Sequence, residues 1–103
     1  MLIEVLAPAA PAAHLVIRIA GEIDMDTSDQ VQRVVADAVD RHRPRRVSLE
    51  MGGVTFVDSS GTRALVACHE HAARLGAALE ISQAHPYLRQ VLAITDLLGM
   101  FHL

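Results

Sequence analysis

The stretch Val54-Thr55-Phe56-Val57-Asp58-Ser59-Ser60-Gly61 decides the reading of this chain: an apolar run stops at a carboxylate, two hydroxyls and a glycine, where an amphipathic helix begins. From about Gly61 to Leu75, Leu65, Cys68, Ala72 and Leu75 recur at the three-and-four spacing of one apolar helix face. Arg63, Glu70 and Arg74 fall on the other side. The first N–H groups of a helix have no intrahelical acceptor, so the hydroxyl of Ser59 or Ser60 is expected to cap them. Those N–H groups and the positive end of the helix dipole also suit an oxyanion or a phosphate, by roughly 0.3 to 1 kcal/mol.

Working outward, Leu2 to Leu6 and His14 to Ala20 read as short strands, the second alternating Leu15, Ile17 and Ile19 against His14, Val16 and Arg18. Pro8 and Pro11 mark a turn between them, which predicts an antiparallel hairpin at a sheet edge. A helix opens over Asp24 to Ser28, where Thr27 and Gln30 have the spacing of a capping box, and Val31, Val34, Val35, Ala38 and Val39 form its apolar stripe. Asp29 with Arg33 and Asp37 with Arg41 are acid-first pairs four apart. Pro44 stops this helix, and Val47, Leu49 and Met51 alternate along the next strand. Ala77 to Ser82 reads as another strand with Leu79 and Ile81 inward. Pro86 suits the first turn of a third helix, lined by Leu88, Val91, Leu92 and Thr95 and ending at Gly99, with Met100 to Leu103 as a tail or brief strand. The alternation of strand and helix from residue 14 onward predicts an α/β fold with a parallel inner sheet and right-handed crossovers.

Composition bounds the function. A chain of 103 residues, half of them apolar, fits one domain over residues 1–103 that buries roughly two thirds of its unfolded surface. All nine basic residues are arginine and the net charge is −3, which does not favour a polyanion or an acidic membrane surface. The single cysteine, Cys68, precludes an intrachain disulfide and fits a reducing compartment. With no basic region ahead of an apolar stretch and no run approaching about 18 apolar residues, a cytoplasmic protein is expected.

The run Arg45 to Gly61 (RRVSLEMGGVTFVDSSG), together with the upstream Gly21-Glu22-Ile23-Asp24, resembles the STAS domain of the anti-sigma-factor antagonists. The resemblance extends over nearly the whole chain, from the strand before Gly21 to the helix after Pro86. It implies a mixed, mostly parallel sheet with an N-terminal antiparallel edge strand and helices mainly on one side. It also implies that Ser59, matching the first serine of the family's D-S-[ST]-G motif, is phosphorylated by an anti-sigma-factor serine kinase. The aspartates matching Asp24 and Asp58 sit beside that serine in the family and belong to the surface the kinase meets. Ser60 would support the loop or cap, and Gly61 would permit close backbone approach. Where the family continues with leucine and a small residue this chain has Thr62-Arg63, inside the expected contact surface, and Arg63 is placed to reach back toward a phosphate on Ser59.

The implied role is that of an anti-sigma-factor antagonist: unphosphorylated, it binds the kinase and frees a sigma factor; phosphorylated, it lets go until a serine phosphatase resets it. ATP belongs to the kinase, so no cofactor is expected on this chain. The alternative within the same fold is a constitutive STAS subunit bound to the ATPase of a membrane transporter, with no switch. Self-association stays open.

Other classes are less well supported. Ser59 lacks the G-x-S-x-G elbow, because Val57 stands in place of the first glycine, and no Gly-rich oxyanion segment is present, so no enzyme is expected. His69 and His71 are two apart, about 200° around a helix, unlike zinc-binding histidines four apart, and Cys68 with His71 supplies only two ligands. The basic run Arg41, Arg43, Arg45 and Arg46 flanks a helix end and has no interleaved aromatic for base stacking, so direct nucleic-acid binding is not expected.

Overall fold

The computed structural model describes residues 1–6 and 13–103 of the chain. Period-two alternation sends Leu15, Ile17 and Ile19, Val47, Leu49 and Met51, and Leu79 and Ile81 to one side, where all eight are buried. The strands that carry them are β2 (His14–Ile23), β3 (Arg46–Val57) and β4 (Ala78–Ala84). With β1 (Leu2–Leu6) they form one sheet in the order β1-β2-β3-β4, with β1 antiparallel to β2 and the other pairs parallel. This is the expected mixed sheet with its antiparallel edge. The turn expected at Pro8 and Pro11 lies outside the described residues.

The helices α1 (Ser28–His42), α2 (Ser59–Arg74) and α3 (Pro86–Ile94) bury their apolar stripes in the same hydrophobic cluster as those strand residues. The opposite face of the sheet carries charge. Arg18 bridges Glu4 at 3.0 Å and Glu50 at 3.2 Å across three strands. Nearby, Ser48 Oγ donates to Glu80 at 2.9 Å, which leaves His14 Nε2–H as donor to Ser48 at 2.6 Å. A face laced with cross-strand ion pairs remains solvated, so the helices gather on the other.

Several boundaries differ from those the sequence suggested. Strand β2 runs past Ala20 to Ile23 through Gly21, whose φ of 113° is accessible to glycine, and the pairing with β3 shifts register there. The Thr27–Gln30 capping box is not formed: Thr27 makes no side-chain cap, and its hydroxyl instead donates to the Glu22 carbonyl at 2.8 Å. Val34 is only half-buried. Of the two acid-first pairs, Asp37–Arg41 closes at 2.7 Å, whereas Asp29–Arg33 is not among the ion pairs of the described residues. Helix α1 ends as Arg43 turns left-handed ahead of Pro44, which disfavours helical geometry in the residue before it.

Helix α3 stops at Ile94 rather than at Gly99, because Asp96 turns left-handed and the Leu97 N–H bonds back to the Leu92 carbonyl at 2.7 Å. That leaves Thr95 exposed. The C-terminal segment is a short 3₁₀ turn (Gly99–Phe101), not a strand, and it drives Phe101 fully into the core.

Candidate functional site

The parallel arrangement of β2, β3 and β4 brings their carboxyl ends to one rim, where ligands and partners of open α/β sheets meet the protein. Ile23 and Val57 are register partners at the ends of β2 and β3, so Asp24 and Asp58 each lie one residue beyond a paired position. The Asp58 N–H donates to the Ile23 carbonyl at 3.2 Å and ties the two strand ends together.

Asp58 is the N-cap of α2. Its extended backbone (φ −98°, ψ −169°) leaves the helix, and its Oδ1 accepts from the Gly61 N–H at 2.9 Å. Neither serine is the cap, and α2 begins at Ser59, two residues before the expected start. A carboxylate outcompetes a hydroxyl here because it is a charged acceptor next to the positive helix end. Relieved of capping, Ser59 occupies the first helical position with its side chain exposed, while Ser60 is half-buried.

Gly61 is buried, and the reason for glycine is space, not dihedral freedom. A Cβ at this position would stand 2.5 Å from the Ile23 carbonyl oxygen, 2.9 Å from Val57 Cγ1 and 3.0 Å from Ile23 Cγ2. The first turn of α2 therefore rests directly on the end of β2. The Thr62 N–H and hydroxyl both bond the Asp58 carbonyl, at 2.9 and 3.0 Å. Arg63 is exposed and makes no side-chain hydrogen bond or ion pair among the described residues.

Asp24 holds the turn into α1: its Oδ1 accepts from the N–H of Asp26 at 2.9 Å and of Thr27 at 3.2 Å, and its carbonyl accepts from Ser28 at 2.8 Å. The structure thus places Asp24, Asp58, Ser59, Ser60, Gly61 and Thr62 around two bonded strand ends. Arg63 lies further along α2.

Three apolar residues of the same rim were not singled out from the sequence. Met25, between Asp24 and Asp26, is 79% exposed. Phe56, at the end of β3, stacks on Tyr87 of α3 with ring centroids 6.0 Å apart and planes at 19°, and both remain over a third exposed. Period two gave no signal for Phe56, because Met51, Val54 and Val57 are buried three apart with exposed pairs between them where the pairing with β2 shifts register. His85 caps α3, its Nδ1 accepting from the Tyr87 N–H at 3.1 Å.

The remaining candidates lie away from the rim. Cys68 is buried at a groove between α1 and α2, and burial pushes its thiol up to about 12. His71 lines the same groove and pairs with Asp40 at 2.8 Å. In the arginine cluster, Arg41 and Arg46 pair with Asp37 and Glu80, and Arg43 bonds the Asp40 carbonyl. No helix among the described residues is long and apolar enough to cross a membrane.

Comparison with known proteins gives concordant matches. The anti-sigma F factor antagonist of Paenibacillus polymyxa is 26% identical over 87 residues, spanning 84% of this chain and 72% of the relative. A STAS-domain containing protein of Pseudomonas aeruginosa (strain UCBPP-PA14) is 29% identical over 98 residues, with 91% of each chain covered. An anti-sigma factor antagonist from Mycobacterium paratuberculosis has a crystal structure that matches with a TM-score of 0.82 at 22% identity, over 97% of this chain and 81% of that one. The STAS domain model matches residues 6–103, nearly the whole of what has just been described. The sheet order, the D-S-S-G run that opens α2 and this match agree: the chain belongs to the STAS domain family.

Proposed function

We propose that this chain is an anti-sigma-factor antagonist that binds an anti-sigma serine kinase, and that phosphorylation of Ser59 switches the binding off. The observation that carries the reading is the exposed Ser59 hydroxyl at the first position of α2, free of capping duty because Asp58 performs it. The relatives named as antagonists support the general role.

The switch follows from local charge. A phosphate on Ser59 adds about 1.5 to 2 negative charges beside Asp58 and Asp24. The fold tolerates this, since the first N–H groups of α2 and its dipole favour an anion by about 0.3 to 1 kcal/mol. A partner surface shaped for a neutral hydroxyl does not, because a like-charge or unpaired-charge mismatch in an interface costs several kcal/mol. Binding is lost while the domain stays folded. In this reading Asp24 and Asp58 shape the rim, and Ser60, Gly61, Thr62 and Arg63 complete the contact turn, with Arg63 able to swing toward the phosphate. A serine phosphatase would restore the hydroxyl.

The test is intact-mass and peptide analysis of the chain from its own cells under growth and stress, paired with binding of Ser59→Ala and Ser59→Glu to the kinase. Condition-dependent phosphate on Ser59, retained binding by S59A and loss by S59E are expected. A protein that never carries phosphate there and co-purifies with a transporter ATPase instead would refute the switch in favour of a constitutive subunit.

A further inference from the structure

Of the seven large apolar side chains that are notably exposed among the described residues, Met25, Phe56 and Tyr87 lie about the strand ends that carry Ser59, and Met1 stands beside Gly21 at the outer edge of the same end of the sheet. In sheet order, Met25 follows β2, Phe56 and Ser59 flank the end of β3, and Tyr87 follows β4, so Met25 and Tyr87 come after the strands on either side of the one that leads to the serine. Scattered exposed apolar residues need no explanation, but a set distributed about one proposed contact site does.

Resting on the reading above, we infer that Met25 and the stacked Phe56–Tyr87 pair are the two anchors by which the kinase is held. The kinase face would present an apolar pocket for Met25 ringed by lysine or arginine. Charge complementarity argues for that occupant. Met25 stands within Glu22-Ile23-Asp24-Met25-Asp26, a segment with three carboxylates and no cation, with Asp29 and Asp58 close by in the chain or across the rim. The arginines of the neighbouring elements are two, Arg63 as the fifth residue of α2 and Arg89 in the first turn of α3, against the five carboxylates of Glu22, Asp24, Asp26, Asp29 and Asp58. An unbranched thioether among carboxylates is suited to insertion into a pocket whose edge is basic. The Phe56–Tyr87 stack is already formed, so docking against it orders little more.

Ser59 follows the strand between those that lead to Met25 and Tyr87, so a partner that reaches both would pass over it and meet a phosphate there.

The experiment measures dissociation constants by calorimetry, using the purified kinase recovered with the tagged chain from its own cells. The variants are Met25→Ala, Tyr87→Ala and Tyr87→Phe, with Ile94→Ala as a control that is 77% exposed at the far end of α3. Met25→Ala and Tyr87→Ala are each expected to weaken binding by roughly tenfold or more. Tyr87→Phe and Ile94→Ala should stay within about twofold, which separates loss of the ring from damage to α3. Binding within about twofold of wild type by either alanine rim variant overturns the inference, and leaves the proposed function standing if S59E still releases the kinase. A wild-type chain that binds no such kinase overturns both.

Discussion

Replacing Gly61 with alanine sets two opposing terms against each other, and the structure decides between them. Alanine is favoured over glycine in a helix by up to about 1 kcal/mol, less in the first turn. Against this, the new methyl would stand 2.5 Å from the Ile23 carbonyl oxygen. Relief requires a retreat of roughly 0.8 Å to reach an ordinary C···O separation of about 3.3 Å. The obstacle is backbone, and that same carbonyl accepts the Asp58 N–H, so β2 and α2 must part. Overpacking of this kind costs about 1 to 3 kcal/mol. The net loss is about 1 to 2 kcal/mol, which for a domain of this size lowers Tm by about 4 to 16 °C. Thermal melts of Gly61→Ala and Gly99→Ala provide the comparison, since a Cβ at Gly99 meets nothing within 4 Å. Gly99→Ala should melt within about 2 °C of wild type. A Gly61→Ala protein that melts as high as wild type would refute the packing argument and show that helix propensity governs this position. Because the distortion lies beneath Ser59, kinase binding should also fall in Gly61→Ala at temperatures where it remains folded.

Urea unfolding of two Asp58 variants separates its cap from its charge: Asp58→Ala should lose about 1 kcal/mol, whereas Asp58→Asn, which retains an acceptor for the Gly61 N–H, should lose less than half of that. Equal losses would assign the effect to charge alone. Cys68 carries a prediction in alkaline pH. Its thiol titrates near 9.0 when unfolded and is raised to about 12 by burial, so between these values the unfolded state binds fewer protons than the folded one and stability falls as pH rises. At pH 10 the wild type should have lost about 1.4 kcal/mol more than Cys68→Ala has, each relative to its own stability at pH 8. Parallel pH profiles of the two proteins would contradict the buried-thiol account. Native Cys68 should likewise resist alkylation at pH 8 until urea unfolds the chain.

The legibility of the elements varied with the kind of interaction behind them. The strand cores of β2, β3 and β4 and the stripe of α2 could be read because period two and period 3.6 are written locally in residue order. The start of α2 was misread by two residues because Asp58, Ser59 and Ser60 are all competent caps by type; the charge of its carboxylate favours Asp58, and the bond from its N–H to Ile23, a residue 35 positions away, holds it at the strand end where it can cap. The Thr27–Gln30 spacing fitted a capping box, yet the Glu22 carbonyl took the Thr27 hydroxyl. Phe101 looked like part of a tail because nothing near it in sequence is periodic, while its burial comes from the common core, with its ring edge-on to His69 of α2 at 5.9 Å.

By itself, the sequence determined the family, the strand and helix periodicities and the candidate serine, because apolar alternation and the D-S-S-G run are properties of neighbouring residues. Only the tertiary structure decided that Asp58 and not a serine caps α2, that Gly61 is required by the approach of Ile23, and that Met25, Phe56 and Tyr87 share the Ser59 rim. Those facts depend on which strand ends lie side by side. Strand pairing and helix packing set that through contacts between residues tens of positions apart, which local propensity does not encode.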